Sequence, residues 1–157
     1  MGEKSPRTGS LEGRGLTIAV IAARYNHDIT EKLLEGALAV LAEHGATADP
    51  VVWVPGCIEL PVTAQAIIET GSADAVVALG CVIKGDTAHF EHVAGQCAAG
   101  LMQVSLDSGI PVSFGVLTTY DHVQALARTD KGREAAETAL EMANLLRTLG
   151  DAALEAL

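Results

Sequence analysis

The stretch KGDTAH at residues 84–89 places a glycine, a carboxylate, a hydroxyl and an imidazole directly after an apolar run. If a helix begins here, the backbone N–H groups of Asp86 and Thr87 and the positive end of the helix dipole would attract an anion. Gly85 allows close approach to that backbone, and the imidazole of His89 can transfer protons near neutral pH. The same residues are ordinary in turns and helix caps, so a plain turn and an anion site both remain open interpretations.

A carboxylate and an aromatic ring lie in two other polar segments. Glu59, in VPGCIELP, stands between two prolines after an apolar run, where it either caps the next helix or accepts from ligand hydroxyls. Tyr25 and Asn26, in RYN, would supply a stacking ring and a hydrogen-bonding amide. Trp53 fits the core or a subunit contact instead. Glu59, Tyr25 and Asn26 are therefore further candidates for ligand binding.

A cluster of cations stands out in an acidic chain. Three of the ten basic residues, Arg128, Lys131 and Arg133, fall close together in a chain whose formal net charge is −10. A solvated helix junction would explain them, but an anion pocket explains them better, because nearby charges outweigh screened net charge at short range. The overall acidity argues against nucleic acid and anionic membranes as partners.

Metal and disulfide chemistry have weak support in the sequence. His92 lies one helical turn after His89, but no third ligand accompanies them. Cys57, Cys81 and Cys97 are too few and too scattered for a disulfide framework. Their apolar neighbours favour small buried thiols over a nucleophile. We therefore expect neither a metal nor a cofactor.

Four β-branched runs alternate with helical patterns along the chain. The runs are continuously apolar, as expected of parallel strands covered on both faces, and they span 16–23, 51–55, 73–83 and 111–118. The helical patterns span 30–43, 60–71, 89–109, 120–128 and 131–149. This alternation predicts a three-layer α/β/α sandwich with a four-stranded parallel sheet. Ligands of such sheets bind at the carboxyl ends of the strands, which is where the polar segments begin.

Length and composition indicate a single domain. Residues 15–157 are long enough to bury one core, whereas residues 1–14 are rich in Gly, Ser and charges and predict a mobile arm. The longest apolar run, 75–83, is too short to span a bilayer, and the first residues contain no apolar signal segment. A cytoplasmic location is therefore expected.

Six motifs, in order, resemble the 6,7-dimethyl-8-ribityllumazine synthase family of riboflavin biosynthesis over residues 14–149. They are RYN, VPGCIELP, ALGCVIKGDTAHFEHV, GLMQVSLDSGIPVSFGVLTT, QALAR and KGREAAETALEMANL. The resemblance implies a flavodoxin-like transferase. It would condense 5-amino-6-(D-ribitylamino)uracil with 3,4-dihydroxy-2-butanone 4-phosphate, releasing phosphate and water, without a metal or redox cofactor. The alternatives are a non-catalytic flavin or lumazine carrier and a purely structural shell subunit, neither of which needs GDT, His89 and Arg128.

The resemblance also implies roles for the candidate residues. Tyr25 would stack on the pyrimidine ring, and Phe114 would close the pocket. His89 matches the family's proton-transfer residue, while Asn26 remains a candidate substrate contact. Three contact groups follow: Cys57, Ile58 and Glu59 at the ribityl chain, the backbone of Cys81, Val82 and Ile83 at the uracil edge, and Gly85, Asp86, Thr87, Arg128 and Lys131 at the phosphate.

Assembly is the last property that the resemblance implies. Family members are pentamers with active sites between neighbouring subunits, and their N-terminal arm adds a strand to a neighbour's sheet. In shell-forming relatives a longer connection joins the last two helices, whereas only Thr129 and Asp130 separate Arg128 from Lys131 here. We therefore expect an isolated pentamer. Asp86 also departs from the small residue frequent in the family, so its carboxylate must point away from a bound phosphate.

Overall fold

The computed structural model describes residues 5–157 and contains four strands and five α-helices. The strands are β1 (Thr17–Ala23), β2 (Thr47–Val54), β3 (Ala75–Ile83) and β4 (Val112–Thr119). The helices are α1 (His27–Glu43), α2 (Leu60–Glu69), α3 (His89–Ser108), α4 (His122–Leu126) and α5 (Lys131–Glu155), with a 3-10 turn at Cys57–Glu59 before α2. All strands are parallel, in the order β2-β1-β3-β4. The predicted α/β fold with a four-stranded parallel sheet is confirmed.

Strands β1 and β3 form the centre of the sheet because their side chains are apolar toward both faces. All residues of β1 after Thr17 are buried, and β3 is buried from Ala75 to Val82. Strand β2 lies at one edge and alternates between exposed and half-buried positions, while β4 forms the other edge. The continuous apolar runs therefore identify the central strands more clearly than the edges.

Two apolar cores cover the faces of the sheet. Helices α1 and α5 pack on one face, where Leu33, Leu41 and Leu140 are fully buried. Helices α2 and α3 pack on the other face with Leu60 and Leu101. Each buried leucine contributes about 1.5–3 kcal/mol, so burial holds the three layers together. Across residues 5–157, no helix has both the length and the apolarity needed to cross a membrane.

The largest differences from the predicted boundaries are in β2, α1 and α5. Strand β2 begins at Thr47 rather than at position 51, because an edge strand tolerates Pro50 and alternating polar residues. Helix α1 begins directly after Asn26, whose φ of 60° is left-handed and precedes the apolar stripe of the helix. Helix α5 continues to Glu155 rather than 149, because its last turns are rich in alanine and leucine, which favour helix without burial.

Residues 5–14 form neither helix nor strand. Part of this segment lies along α5 of the same chain, where Asn144 Nδ2 donates to Ser10 O at 2.8 Å and to Glu12 O at 2.9 Å. Residues 1–4 of the predicted arm lie outside the described residues. The addition of this arm to a neighbouring sheet, and the domain boundary at position 15, stay predictions.

Candidate active site

Strand β3 extends beyond its neighbour β1 at the carboxyl edge of the sheet. Strand β1 pairs with β3 as far as Leu79, whereas β4 pairs with β3 as far as Ile83. The backbone groups of residues 80–83 that point toward β1 therefore face no strand. This open segment includes Cys81, Val82 and Ile83, whose backbone is the predicted contact for the uracil edge.

Asn26 connects the ends of β1 and β3. Its backbone carbonyl accepts from Ile29 N at 2.9 Å and from Thr30 N at 3.0 Å, which begins α1. Its side-chain Nδ2 donates to Cys81 O at 2.8 Å. The amide predicted to bind substrate thus uses one N–H to position the open end of β3. The other N–H and the carbonyl oxygen remain available to a ligand.

Tyr25 and Glu59 lie on either side of Gly56. A Cβ at Gly56 would lie 2.7 Å from Tyr25 Cδ2 and 3.3 Å from Glu59 Oε2, so only glycine allows the ring this close. Glu59 Oε2 accepts from Gly56 N at 2.9 Å and caps the 3-10 turn that precedes α2, rather than α2 itself. The Tyr25 residue is 69 % exposed to solvent, and Ile58, which precedes Glu59 in the chain, is also exposed. A ring, a carboxylate and an apolar side chain therefore share one accessible surface.

Three buried thiols lie beneath this surface, as predicted. Cys57 Sγ packs over Gly80, where an added Cβ would overlap the sulfur. A hydrogen bond with Cys97 lowers the pKa of Cys57 and raises that of Cys97. Burial raises the pKa of Cys81 to about 12. Within residues 5–157, no three His, Cys, Asp or Glu side chains are grouped so that they could hold a metal ion.

The loop at 84–88 joins β3 to α3 and is exposed throughout. Helix α3 begins at His89, whose backbone N–H donates to Thr87 Oγ1 at 3.4 Å. A Cβ at Gly85 would meet no atom within 4 Å, so the space beside this backbone is open. Asp86 is exposed to solvent. The four predicted residues therefore lie together at the N-terminus of a long helix, next to the open end of β3.

Arg128 and Lys131 line a separate groove beyond β4, with a volume of about 520 Å³. Arg128 Nη1 donates to Gln124 O at 2.8 Å, and Lys131 Nζ lies 3.0 Å from Glu134 Oε2. Phe114, which is 42 % exposed, lines an adjoining depression of about 260 Å³ with Lys131. The two cations and the aromatic ring are therefore neighbours, and their roles at a phosphate and at the pocket entrance stay predictions.

The candidate residues thus form two groups within one chain. The pyrimidine group comprises Tyr25, Asn26, Cys57, Ile58, Glu59, Cys81, Val82 and Ile83, followed along the chain by the loop from Gly85 to His89. The β4 group comprises Phe114, Arg128 and Lys131. None of the residues that line the β4 groove belongs to the pyrimidine group or its loop. The two groups therefore do not share a pocket within the described part of a single chain.

Two polar contacts near this edge have no counterpart in the sequence analysis. His122 Nε2 donates to Asp28 Oδ2 at 2.6 Å, and Lys84 Nζ lies 5.5 Å from the centroid of the Tyr120 ring. Asp28 and His122 are 94 positions apart, and each alone is ordinary at the start of a helix. No local sequence signal identifies such a pair.

The fold is that of an α/β protein in which parallel strands leave their carboxyl ends open to small ligands. The family model for 6,7-dimethyl-8-ribityllumazine synthase matches residues 15–147. The protein of that name from Edwardsiella ictaluri is 51% identical over 140 residues, covering 84% of this chain and 90% of the relative. The one from Pyrococcus furiosus is 46% identical over 147 residues, covering 91% of this chain and 93% of the relative. The chain belongs to the 6,7-dimethyl-8-ribityllumazine synthase family, which confirms the resemblance of the six motifs.

Proposed function

We propose that this chain condenses 5-amino-6-(D-ribitylamino)uracil with 3,4-dihydroxy-2-butanone 4-phosphate to form 6,7-dimethyl-8-ribityllumazine, as a transferase of riboflavin biosynthesis. The observation that carries this proposal is the family match over residues 15–147, which includes every candidate residue. The open carboxyl end of β3, beside a ring and a carboxylate, gives that match a physical basis. A carrier without catalytic function is not favoured, because the relatives are named as synthases.

The pyrimidine substrate is proposed to bind at the open end of β3. Apart from Cys81 O, which Asn26 binds, the backbone groups of Cys81, Val82 and Ile83 that point toward β1 face no strand and can match the donors and acceptors of a uracil edge. Tyr25 offers an exposed ring for stacking on the pyrimidine. Glu59 has one oxygen bound to Gly56 N, which leaves the other to accept from ribityl hydroxyls.

The phosphate is proposed to bind between the loop after β3 and Arg128. The backbone N–H groups of Gly85, Asp86 and Thr87 lie at the N-terminus of α3, where the helix dipole favours an anion. Arg128 uses Nη1 for Gln124 O and keeps its remaining guanidinium donors for a phosphate oxygen. Lys131 is a weaker candidate because it is paired with a carboxylate.

The reaction requires proton transfers that an imidazole can perform. The substrate amine attacks the ketone carbon, and loss of water forms an imine. Removal of a proton from the adjacent carbon then breaks the C–O bond to phosphate, which leaves as the anion. His89 is exposed one residue beyond the phosphate loop, where it can deliver and remove these protons. Holding the two substrates together contributes much of the rate, so His89 assists a reaction that positioning already favours.

The active site is proposed to be completed by a neighbouring subunit. Phe114 and Arg128 lie on the β4 side, outside the surface formed by Tyr25, Glu59 and the phosphate loop. If the β4 side of one subunit faces the loop of the next, the two groups form one closed pocket. A ring of such contacts gives the proposed homopentamer, because the interface is heterologous and repeats around a closed circle.

The proposed activity is tested by mixing the purified protein with both substrates and following lumazine fluorescence. We expect product to form without added metal, and exhaustive chelation should leave the rate unchanged. Absence of product would contradict the proposal. Loss of activity on chelation, restored by one metal ion, would contradict its metal-free chemistry.

The proposed assembly and location have separate tests. Native mass spectrometry should give a pentamer at physiological salt, because the short link at Thr129 and Asp130 differs from that of shell-forming relatives. A megadalton particle would contradict this reasoning. A cytoplasmic location is proposed because Cys57, Cys81 and Cys97 are free thiols, which reducing compartments preserve. Cell fractionation tests that location directly.

A further inference from the structure

Helix α4 is short, and it leads directly to Arg128. It has five residues, too few to be stable through its own hydrogen bonds. Three local contacts hold it: Ala125 is fully buried, Asp121 Oδ1 accepts from Gln124 N at 2.8 Å, and Gln124 Oε1 accepts from Tyr120 N at 2.9 Å. All of these act within the segment or fix it to the core. Ala125 is buried in the same core as Cys81, whereas both hydrogen bonds stay within residues 120–124.

A side-chain hydrogen bond joins α4 to α1, whose first residue follows Asn26. His122, the first residue of α4, donates from Nε2 to Asp28 Oδ2 at 2.6 Å. Asp28 lies in the first turn of α1, where the helix dipole favours a carboxylate. The hydrogen bond from His122 lowers the pKa of Asp28, as expected for a carboxylate that is stabilised in its charged form. The two side chains remain half exposed, so the pair is accessible to solvent.

This pair completes a series of contacts from β3 to the cation. At one end, Asn26 Nδ2 is bound to Cys81 O, and Asn26 is the residue from which α1 begins. At the other end, Arg128 N donates to Ala125 O at 3.0 Å and its Nη1 donates to Gln124 O. One carbonyl of α4 therefore holds the guanidinium, and another holds the backbone N–H of Arg128. Any displacement of α4 from α1 moves Arg128 by a similar distance.

We propose that Asp28 and His122 are positioning residues that fix α4, and through it Arg128, relative to the start of α1. Neither residue touches the substrate in this role. The pair sets where the phosphate-binding cation lies and how much freedom it has. The proposal rests on the proposed function, since it takes Arg128 as a contact for the substrate phosphate.

The test compares Asp28→Ala, His122→Ala and the double variant with a matched control, Glu43→Ala. Glu43 forms an interhelical pair of the same kind with Arg133 at 3.0 Å, at the other end of α1. For each single variant we expect the KM of the butanone phosphate to rise about two- to five-fold, the range of an exposed ion pair. The KM of the ribitylaminouracil and kcat should stay within experimental error. The control should change none of the three constants.

Two readouts do not depend on catalysis. Amide hydrogens of residues 124–128 should exchange about two- to five-fold faster in both single variants than in the control, because exposed pairs of this size restrain local opening. The dissociation constant of inorganic phosphate, measured by calorimetry, should rise by the same factor as the KM. In the double variant these changes should equal those of either single variant, because both substitutions remove one shared contact.

Several results would overturn the positioning role. One is that the KM of the butanone phosphate and the dissociation constant of inorganic phosphate stay unchanged, even if amide exchange becomes faster. The others are an equal rise in both KM values and additive effects in the double variant. Failure of the proposed function can be distinguished from failure of the positioning role. It would appear as a wild-type protein that forms no lumazine, or as Arg128→Ala without effect on phosphate binding. Exchange and calorimetry would still measure the effect of the pair in that case.

Discussion

The two groups of the candidate site differ in how firmly the chain holds them. In the pyrimidine group, Glu59 bonds to Gly56, Asn26 bonds to Cys81, and Tyr25 rests against the Gly56 backbone. These contacts lie in the segments that follow β1 and β2 and at the end of β3, and all of them form within one chain. On the β4 side, Phe114 lies on an edge strand and Arg128 lies in the turn that follows the five-residue helix α4. Under the proposed function, one substrate would meet a preformed surface, whereas the other would depend on groups that neighbouring elements must hold.

The largest expected effect comes from the less firmly held group. Arg128→Ala should raise the KM of the butanone phosphate about 10- to 150-fold, equivalent to the ~1.5–3 kcal/mol of a charge-assisted hydrogen bond. The KM of the ribitylaminouracil should change little. Steady-state kinetics with each substrate varied in turn measures both constants. An equal rise in both would mean that Arg128 supports the structure and does not contact the phosphate.

A smaller effect is expected from substitution of His89, the first residue of α3. His89→Ala should lower kcat about 10- to 100-fold, at or below the lower end of general acid–base contributions, with little change in either KM. Circular dichroism should show an intact fold, because His89 is exposed. The pH dependence of kcat is the deciding measurement. Wild-type turnover across the whole pH range would remove His89 from the mechanism.

The preformed surface can be disturbed without changing any polar group. Gly56→Ala would place a methyl group 2.7 Å from the Tyr25 ring, and the ring must move because the backbone cannot. We expect the KM of the ribitylaminouracil to rise about 5- to 30-fold, equivalent to ~1–2 kcal/mol of overpacking.

Gly150→Ala is the matched control for this substitution, since an added Cβ there meets nothing within 4 Å. It should leave both KM values unchanged. If Gly56→Ala raised only the KM of the butanone phosphate, the proposed division of the site would be wrong.

The smallest effect concerns the thiols beneath the pyrimidine group. At pH 8 a disulfide reagent should modify them slowly, because thiolates react and burial raises the pKa of Cys81 to about 12. Cys57 should react first, since its pKa lies below the ordinary value. In the Cys57→Ser variant, the fastest phase of thiol modification by the reagent should be absent. Equal rates for native and unfolded protein would show that this part of the surface is not firmly packed.

Much of the fold could be predicted because its signals are local. The apolar runs at β1 and β3 cover both faces of the strands, and their continuity alone identifies a parallel sheet. The edge strand β2 was less visible, because its alternating residues and Pro50 also fit a loop. The candidate site residues come from motifs near the strand ends, and their roles stay predictions.

The contacts that organise the site could not be predicted in the same way. The bond from Asn26 to Cys81 spans 55 positions, and the pair of Asp28 with His122 spans 94. Each residue has a sufficient local explanation as a turn or helix-start residue, so nothing in its neighbourhood indicates a distant partner. Only the parallel order of the strands brings these segments together.

The packing of Cys57 over Gly80 restricts how these two positions can change during evolution. A methyl group at position 80 would overlap the Cys57 sulfur, whereas its next contacts, with Ala23 and Leu60, would be ordinary at 3.6 Å. Gly80→Ala alone is therefore destabilising, but the same substitution is accommodated once Cys57→Ala has occurred. The two substitutions are epistatic, and an accessible mutational path takes them in that order. In the reverse order, the first step passes through a poorly folded intermediate.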